Sequence, residues 1–228
     1  MFRSDGLLLK ILCKKEMKQQ LKVAILGGGG RTGRYLVEQL INKGYYLKLL
    51  LRNPETFTIQ SPLIEIIKGD AIDPLVINRL IKDCQAVIST IGQRQGESLV
   101  AEQATKNILQ AMSRYGIKRY MLIGGINIDT PFDNKGSETL QATQWMKTHF
   151  PLIQEDRQRA YNQLVASAIC WTLIRVPFIE FTDEVRELVV NLKDCLGNKI
   201  SAGSIAAFII HQLTDECFLR EAPFIANI

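Results

Sequence analysis

Hydrophobic positions in this 228-residue chain follow two alternating rhythms. Short, nearly continuous apolar runs occupy residues 23–26, 46–51, 63–68, 86–91, 119–123 and 170–176, as expected of strands buried on both faces. Between them apolar residues recur every three or four positions. Thr32 and Gly33 lead into Leu36, Val37, Leu40 and Ile41; residues 74–81 follow; Ala101, Ala104, Ile108, Leu109 and Met112 mark 97–115; and residues 153–167 complete the series. That spacing predicts amphipathic helices. Strands separated by helices require right-handed crossovers and a parallel sheet covered on both faces. The expected fold class is α/β, a Rossmann-like doubly wound parallel sheet that binds its ligand outside the C-terminal strand ends.

Beyond residue 186 the rhythm changes. Residues 187–192, 194–198 and 199–201 suggest a hairpin turning at Gly197-Asn198. A helix over 202–213, capped by Ser201 or Ser204, and a last short strand at Phe224-Ile225 follow. With no internal repeat or interdomain linker, residues 22–228 are expected to form one domain with a small C-terminal lobe.

The first strand–helix junction carries the chemistry. GGGGRTG (27–33) stands between an apolar run and a helical pattern, and the next run ends on Arg52. This is the βαβ unit that binds a dinucleotide. Its glycines let the backbone approach a pyrophosphate, and the helix N-terminus offers that charge its unpaired N–H groups. Gly27, Gly30 and Gly33 fit G-x-x-G-x-x-G, while Gly28, Gly30 and Gly33 fit G-x-G-x-x-G, so the spacing leaves two alignments open. A P-loop needs Gly-Lys-Ser/Thr where Gly33-Arg34-Tyr35 stands, and is excluded. NAD-preferring sites place an acid at the end of the second strand. Here Leu51-Arg52-Asn53 offers a guanidinium instead, which suits a 2′-phosphate. NADP(H) is the expected cofactor.

Composition narrows the partners. Of the net charge of +5, Arg3, Lys10, Lys14, Lys15 and Lys18 against Asp5 and Glu16 supply +3 within the first twenty residues. The remainder has no basic run interleaved with aromatics, so a nucleic-acid partner is not expected. The apolar stretch 6–13 is interrupted by Lys10 and too short to span a bilayer. Residues 1–21 look like an extension to the domain, disordered or the product of a mis-assigned start, since Met17 would open the fold directly. Cys13, Cys84, Cys170, Cys195 and Cys217 form no C-x-x-C pair and read as reduced thiols of a cytoplasmic protein, mostly core residues. Two histidines in no cluster give no metal site. The expectation is a monomer or weak homodimer with a small-molecule substrate and no membrane partner.

Several motifs in order extend this reading: GGGGRTG (27–33), LLRN (50–53), KGDAIDP (68–74), STIG (89–92), SAICWTLIRVP (167–177) and NKISAGSIAAFIIHQL (198–213). Over residues 21–228 the sequence resembles the atypical short-chain dehydrogenase/reductase family with an NAD(P)H-binding fold, in particular biliverdin-IXβ (flavin) reductases and NmrA-like proteins. The resemblance implies that Gly27, Gly29, Gly30, Arg31, Thr32 and Gly33 hold the pyrophosphate. By the same resemblance Arg52 meets the 2′-phosphate, and Asp70 with Ala71 flanks the adenine. Thr90, Ile91, Gly92 and Arg94 would line the ribose and diphosphate path. Gly124, Gly125 and the Val176-Pro177 segment would border the nicotinamide.

The usual catalytic set of that family is missing. Ile153 and Arg157 stand at the Tyr and Lys positions, and Gly124-Gly125-Ile126-Asn127 stands where a serine is expected. Flavin and biliverdin reductases of the group also lack the Tyr/Lys pair, and a conjugated acceptor can take hydride with water supplying the proton. Tyr161, on the same helix, is the candidate catalytic residue. Trp145, Phe150, Trp171, Phe178 and Phe181 are candidate pocket walls. The leading expectation is an NADPH-dependent oxidoreductase acting on a flavin-, quinone- or tetrapyrrole-like acceptor. The alternative is a non-catalytic NADP-sensing regulator of NmrA type. An epimerase or dehydratase holding NAD is disfavoured by the missing Tyr/Lys pair.

Overall fold

Nine short apolar segments and a tenth at the C-terminus become strands in the computed structural model, which describes residues 21–94 and 96–228. Apart from Leu21, the N-terminal extension lies outside the described residues. In chain order the elements are β1 (Lys22–Leu26), α1 (Gly33–Asn42), β2 (Tyr46–Leu51), β3 (Ile64–Lys68), α2 (Pro74–Ile81), β4 (Ala86–Ser89) and α3 (Ala101–Tyr115). They continue with β5 (Arg119–Gly125), α4 (Ser137–His149), α5 (Pro151–Ala166), β6 (Cys170–Val176), β7 (Phe178–Glu180), β8 (Leu188–Asn191), β9 (Lys199–Ser201), α6 (Ala202–His211) and β10 (Phe224–Asn227).

The main sheet has the order β3-β2-β1-β4-β5-β6-β10-β8. Every pairing is parallel except that of β8 with β10. β1 is central, with Val23 opposite Leu47 on one side and Ala86 on the other. The chain runs outward from β1 to β3 and then returns to β4, so a crevice opens beyond the C-terminal end of β1, where such sheets bind ligands. Helices α2, α3 and α5 cover one face, with Ile77, Ile108, Met112 and Leu164 in its core. Helices α1 and α6 cover the other with Leu36, Leu40, Ile205 and Ile209. No helix among the described residues is long and apolar enough to cross a membrane.

The expected hairpin at 187–201 does not form. β8 pairs instead with β10, Leu188 opposite Asn227 and Asn191 opposite Phe224, and β9 pairs in parallel with β7. The intervening residues fold on themselves: Asn191 Oδ1 accepts from the amides of Lys193 and Asp194, and the Cys195 thiol donates to the Gly197 carbonyl. The apolar run at 188–190 gains more by closing the sheet edge at β10 than by pairing with a short polar segment. The expected Ser201 cap is present, its hydroxyl accepting from the Ser204 amide at 3.1 Å.

Helix α4 has no counterpart in the sequence expectation. Its buried residues are Thr139 and Thr143, so a search for apolar periodicity passes over it. Helix α3 starts at Ala101 rather than 97, because the Asp156 carboxylate of α5 accepts from the amides of Ala101 (2.8 Å) and Glu102 (3.1 Å). Of the described cysteines only Cys84 is buried, and Cys217 is exposed. Burial pushes the Cys84 thiol up to about 12.

Candidate functional site

The glycine turn decides between the two alignments left open by spacing. Gly27 has φ +80°, and a Cβ there would lie 2.7 Å from Thr90 Oγ1 and 3.0 Å from the Ile91 nitrogen. A Cβ on Gly33 would lie 2.1 Å from the Gly27 carbonyl oxygen. Gly28 is less constrained, its nearest neighbour being the Val37 side chain at 3.2 Å. The Gly30 amide donates to the Gly27 carbonyl at 2.9 Å. Gly27, Gly30 and Gly33 are therefore the set the turn requires. Behind it, α1 opens on Thr32 with no side-chain cap and no acid in its first turn. The Arg34 amide in its first turn donates to the Gly30 carbonyl at 3.2 Å, and with no acid there the positive end of the helix is left for an anion. Arg31 is exposed and stacks on the Phe181 ring, 4.4 Å from its centroid.

A second group forms beyond the ends of β2, β3 and β4. Arg52 donates two hydrogen bonds to Glu97, at 2.8 and 3.0 Å, and lies 4.0 Å from Asp70. Arg94 is 3.6 Å from the same glutamate. These bonds raise the Arg52 pKa and lower that of Glu97. Sequence reasoning placed Arg52, Asp70 and Arg94 in one site; Glu97, their shared partner, carries no local signal and was expected to begin a helix. Gln93 staples this loop by donating to the carbonyls of Arg94, Glu97 and Ser98. Asp70 Oδ1 accepts from the Ile72 amide at 3.2 Å, and the buried Ala71 offers its carbonyl to Asn107.

Thr90 joins the loop to the turn, its amide donating to the Leu26 carbonyl at 2.9 Å and its hydroxyl to the same oxygen at 3.3 Å. Ile91 packs on the core, while Gly92 is exposed with open space around its Cα.

At the end of β5, Gly124 and Gly125 leave room only for backbone. A Cβ on Gly124 would lie 2.6 Å from Ile128, and one on Gly125 would lie 2.1 Å from Asn127 Oδ1. Gly125 thus cannot carry a side chain without moving Asn127, whose carbonyl accepts from Gln154 at 2.7 Å. Val176 and Pro177 are buried beside this point, and the Val176 carbonyl accepts from the Ile126 amide.

Tyr161 packs in the core under α5, 7% exposed and edge-on to Trp171 at 5.9 Å. Burial raises its hydroxyl pKa. Trp171 is a core residue too, so it does not wall a pocket. Trp145 stacks on His149 and meets Phe150 at a tilt at the far end of α4, and Phe178 is exposed. Of the five candidate aromatics, Phe181 lies against the glycine turn.

A buried ionic network, unseen in the sequence, fixes the segment after β5. Arg175, fully buried, holds both Asp133 oxygens at 2.8 Å and the carbonyls of Ile128 and Ala222. Lys135 joins Asp129 at 2.7 Å, and Lys147 reaches the other Asp129 oxygen at 2.8 Å.

Residues 27–216 match the NAD(P)H-binding family NAD_binding_10. A chloroplastic protein of Arabidopsis thaliana with no characterised activity, At2g34460, is 25% identical over 88% of this chain and 72% of its own length. An isoflavone reductase homolog, A622-like, of Nicotiana tabacum is 32% identical over 46% of this chain, which spans 35% of that protein. Among solved structures, a Veillonella parvula short-chain dehydrogenase/reductase in complex with NADP superposes with a TM-score of 0.77, at 16% identity over 91% of this chain and 94% of that one. ChuY, an anaerobilin reductase of Escherichia coli O157:H7, gives 0.74 at 16% identity over 90% and 97%. At such identities these two structures support the fold.

Proposed function

The chain belongs to the NAD(P)H-binding family, and from that premise we propose that it is an NADPH-dependent reductase of small, planar, conjugated acceptors of flavin, quinone or tetrapyrrole type. One observation carries the reading: an uncapped helix N-terminus behind a side-chain-free turn shares the sheet end with Arg52, a cation where NAD-preferring sites carry an acid. The residues fit the cofactor, since residues 27–30 present backbone without side chains and the cations Arg52 and Arg94 stand together beyond the neighbouring strand ends.

Bound NADPH supplies a hydride, two electrons with one proton, and leaves as NADP⁺. The chain's own part is to bind, orient and exclude. Gly27, Gly29, Gly30, Arg31, Thr32 and Gly33 hold the pyrophosphate, and Arg52 takes the 2′-phosphate once Glu97 lets go. Asp70 and Ala71 flank the adenine, and Thr90, Ile91, Gly92 and Arg94 line the path onward. Gly124 and Gly125, with Val176 and Pro177, border the nicotinamide. The acceptor's proton comes from water. Tyr161, 7% exposed and packed edge-on against Trp171, is assigned no role in that transfer. The names of ChuY and the isoflavone reductase homolog support a reductase acting on a conjugated acceptor.

The second reading, an NADP sensor without turnover, is favoured by Gly124-Gly125-Ile126-Asn127 and Ile153 standing where the family's serine and tyrosine would be. Fluorescence titration with NADPH and NADH tests the cofactor half of the proposal. Wild type is expected to prefer NADPH, and Arg52→Ala to lose about 10- to 100-fold in NADPH affinity with NADH unchanged. Equal affinity for both nucleotides in wild type would remove the 2′-phosphate role from Arg52.

A further inference from the structure

Three arginines near this sheet have their pKa lowered, with burial the largest cause: Arg119, Arg157 and Arg175. Two of them are saturated. Arg119 donates to the carbonyls of Gln212 and Cys170 and to Thr172, and Arg175 to Asp133 and several carbonyls. Arg157 donates to no group among the described residues. No acid among the described residues forms an ion pair with it, although the neighbouring Asp156 raises its pKa through space. Asp156 caps α3, Glu155 and Glu102 hold Arg159, Asp129 holds Lys135 and Lys147, and Asp133 holds Arg175.

Its position is as unusual as its isolation. On α5, Gln154, Asp156, Ala160, Tyr161 and Leu164 are buried; Arg157 lies at helical spacing on the stripe of Gln154, Tyr161 and Leu164, where an apolar side chain would stabilise the packing. Its Nη1 lies 3.7 Å from where a Cβ on Gly125 would stand. The fork is thus held against the end of β5, the border assigned above to the nicotinamide. A half-buried cation without a direct ion-pair or hydrogen-bond partner is costly unless a ligand provides one.

We propose that Arg157 anchors an anionic group of the acceptor, a carboxylate or phosphate received by its planar fork, so that the enzyme selects conjugated acceptors with an acidic tail over neutral ones. This rests on the reductase reading above. The pyrophosphate of the cofactor has its own cradle at the start of α1, so the anion taken by Arg157 belongs to the second ligand. As a positioning residue it would orient the acceptor's ring over the Gly124-Gly125 floor.

The test uses the full chain loaded with NADP⁺, which binds acceptor without turnover. Absorbance titrations compare FMN with riboflavin, and biliverdin with its dimethyl ester, in wild type, Arg157→Gln and Arg157→Lys, alongside NADPH affinity. Wild type is expected to favour the charged member of one pair by about 10- to 100-fold. The responding pair identifies phosphate or carboxylate. Arg157→Gln should abolish the preference with NADPH affinity within about twofold, and Arg157→Lys should restore part of it. Because Arg157 makes no hydrogen bond within the described fold and its burial is costly, Arg157→Gln should keep the wild-type circular dichroism, with a Tm at or above that of wild type.

A charged-over-neutral preference that survives Arg157→Gln would overturn the proposal. So would a loss of NADPH affinity in that variant with acceptor preference intact, which would make Arg157 a cofactor contact. Binding of charged and neutral acceptors with equal affinity would refute the anchor and leave the reductase reading standing. If NADPH binds but none of the four acceptors does, the reductase reading falls and the anchor with it.

Discussion

Glu97 holds Arg52 with two hydrogen bonds while both side chains remain about 40% exposed to solvent. An exposed pair of this kind contributes little, because water screens it and two long side chains must be ordered to make it. A 2′-phosphate, with more charge and more acceptor atoms, displaces the carboxylate at small cost. Glu97→Gln should therefore strengthen NADPH binding by about two- to fivefold and leave NADH nearly unchanged. The calorimetric Kd of each nucleotide checks this, and weaker NADPH binding would show that Glu97 assists the phosphate rather than competing with it. The same residue marks a limit of sequence reading. Arg52 announces itself by replacing an expected acid at the end of β2, whereas its partner lies 45 positions away in a loop. Arg157 was visible as a mismatch at the lysine position, but its lack of partners emerges only when every neighbouring acid is seen to be engaged.

At the level of elements, the parallel strands of the sheet and the helices with apolar stripes were legible because their periodicity is dictated by burial. Those missed have polar reasons to exist. Helix α4 buries Thr139 and Thr143, with the Thr143 hydroxyl donating to the Thr139 carbonyl. The start of α3 depends on Asp156, 55 residues away, and the expected hairpin failed because β10, distant in sequence, offered β8 a better edge. Long-range capping has a measurable consequence. Asp156→Ala leaves two amides at the head of α3 without their carboxylate and should cost about 1–2 kcal/mol of stability. Hydrogen exchange should quicken in the first turn of α3. Unchanged protection at Ala101 and Glu102 would show that the cap contributes nothing.

For the molecule as a whole, two faces of one sheet are covered by different helices, and the chain reverses direction about β1, which opens a crevice at its C-terminal end. The glycine turn, the Arg52–Glu97 pair and the Gly124-Gly125 floor all come to that end from separate elements. The buried Arg175–Asp133 pair ties the segment after β5 to β6 and to the Ala222 carbonyl. A buried pair is a poor source of net stability but a good means of fixing one arrangement. Membership of an NAD(P)H-binding family accounts for the first half of this geometry; hydride transfer to a conjugated acceptor is the central claim about the second. The direct measurement is anaerobic incubation of the purified chain with NADPH and FMN or biliverdin, following absorbance at about 340 nm together with the acceptor band. Enzyme-dependent loss of NADPH, matched mole for mole by reduced acceptor, is the predicted result. Tight NADPH binding with no oxidation above the uncatalysed rate on either acceptor would contradict it.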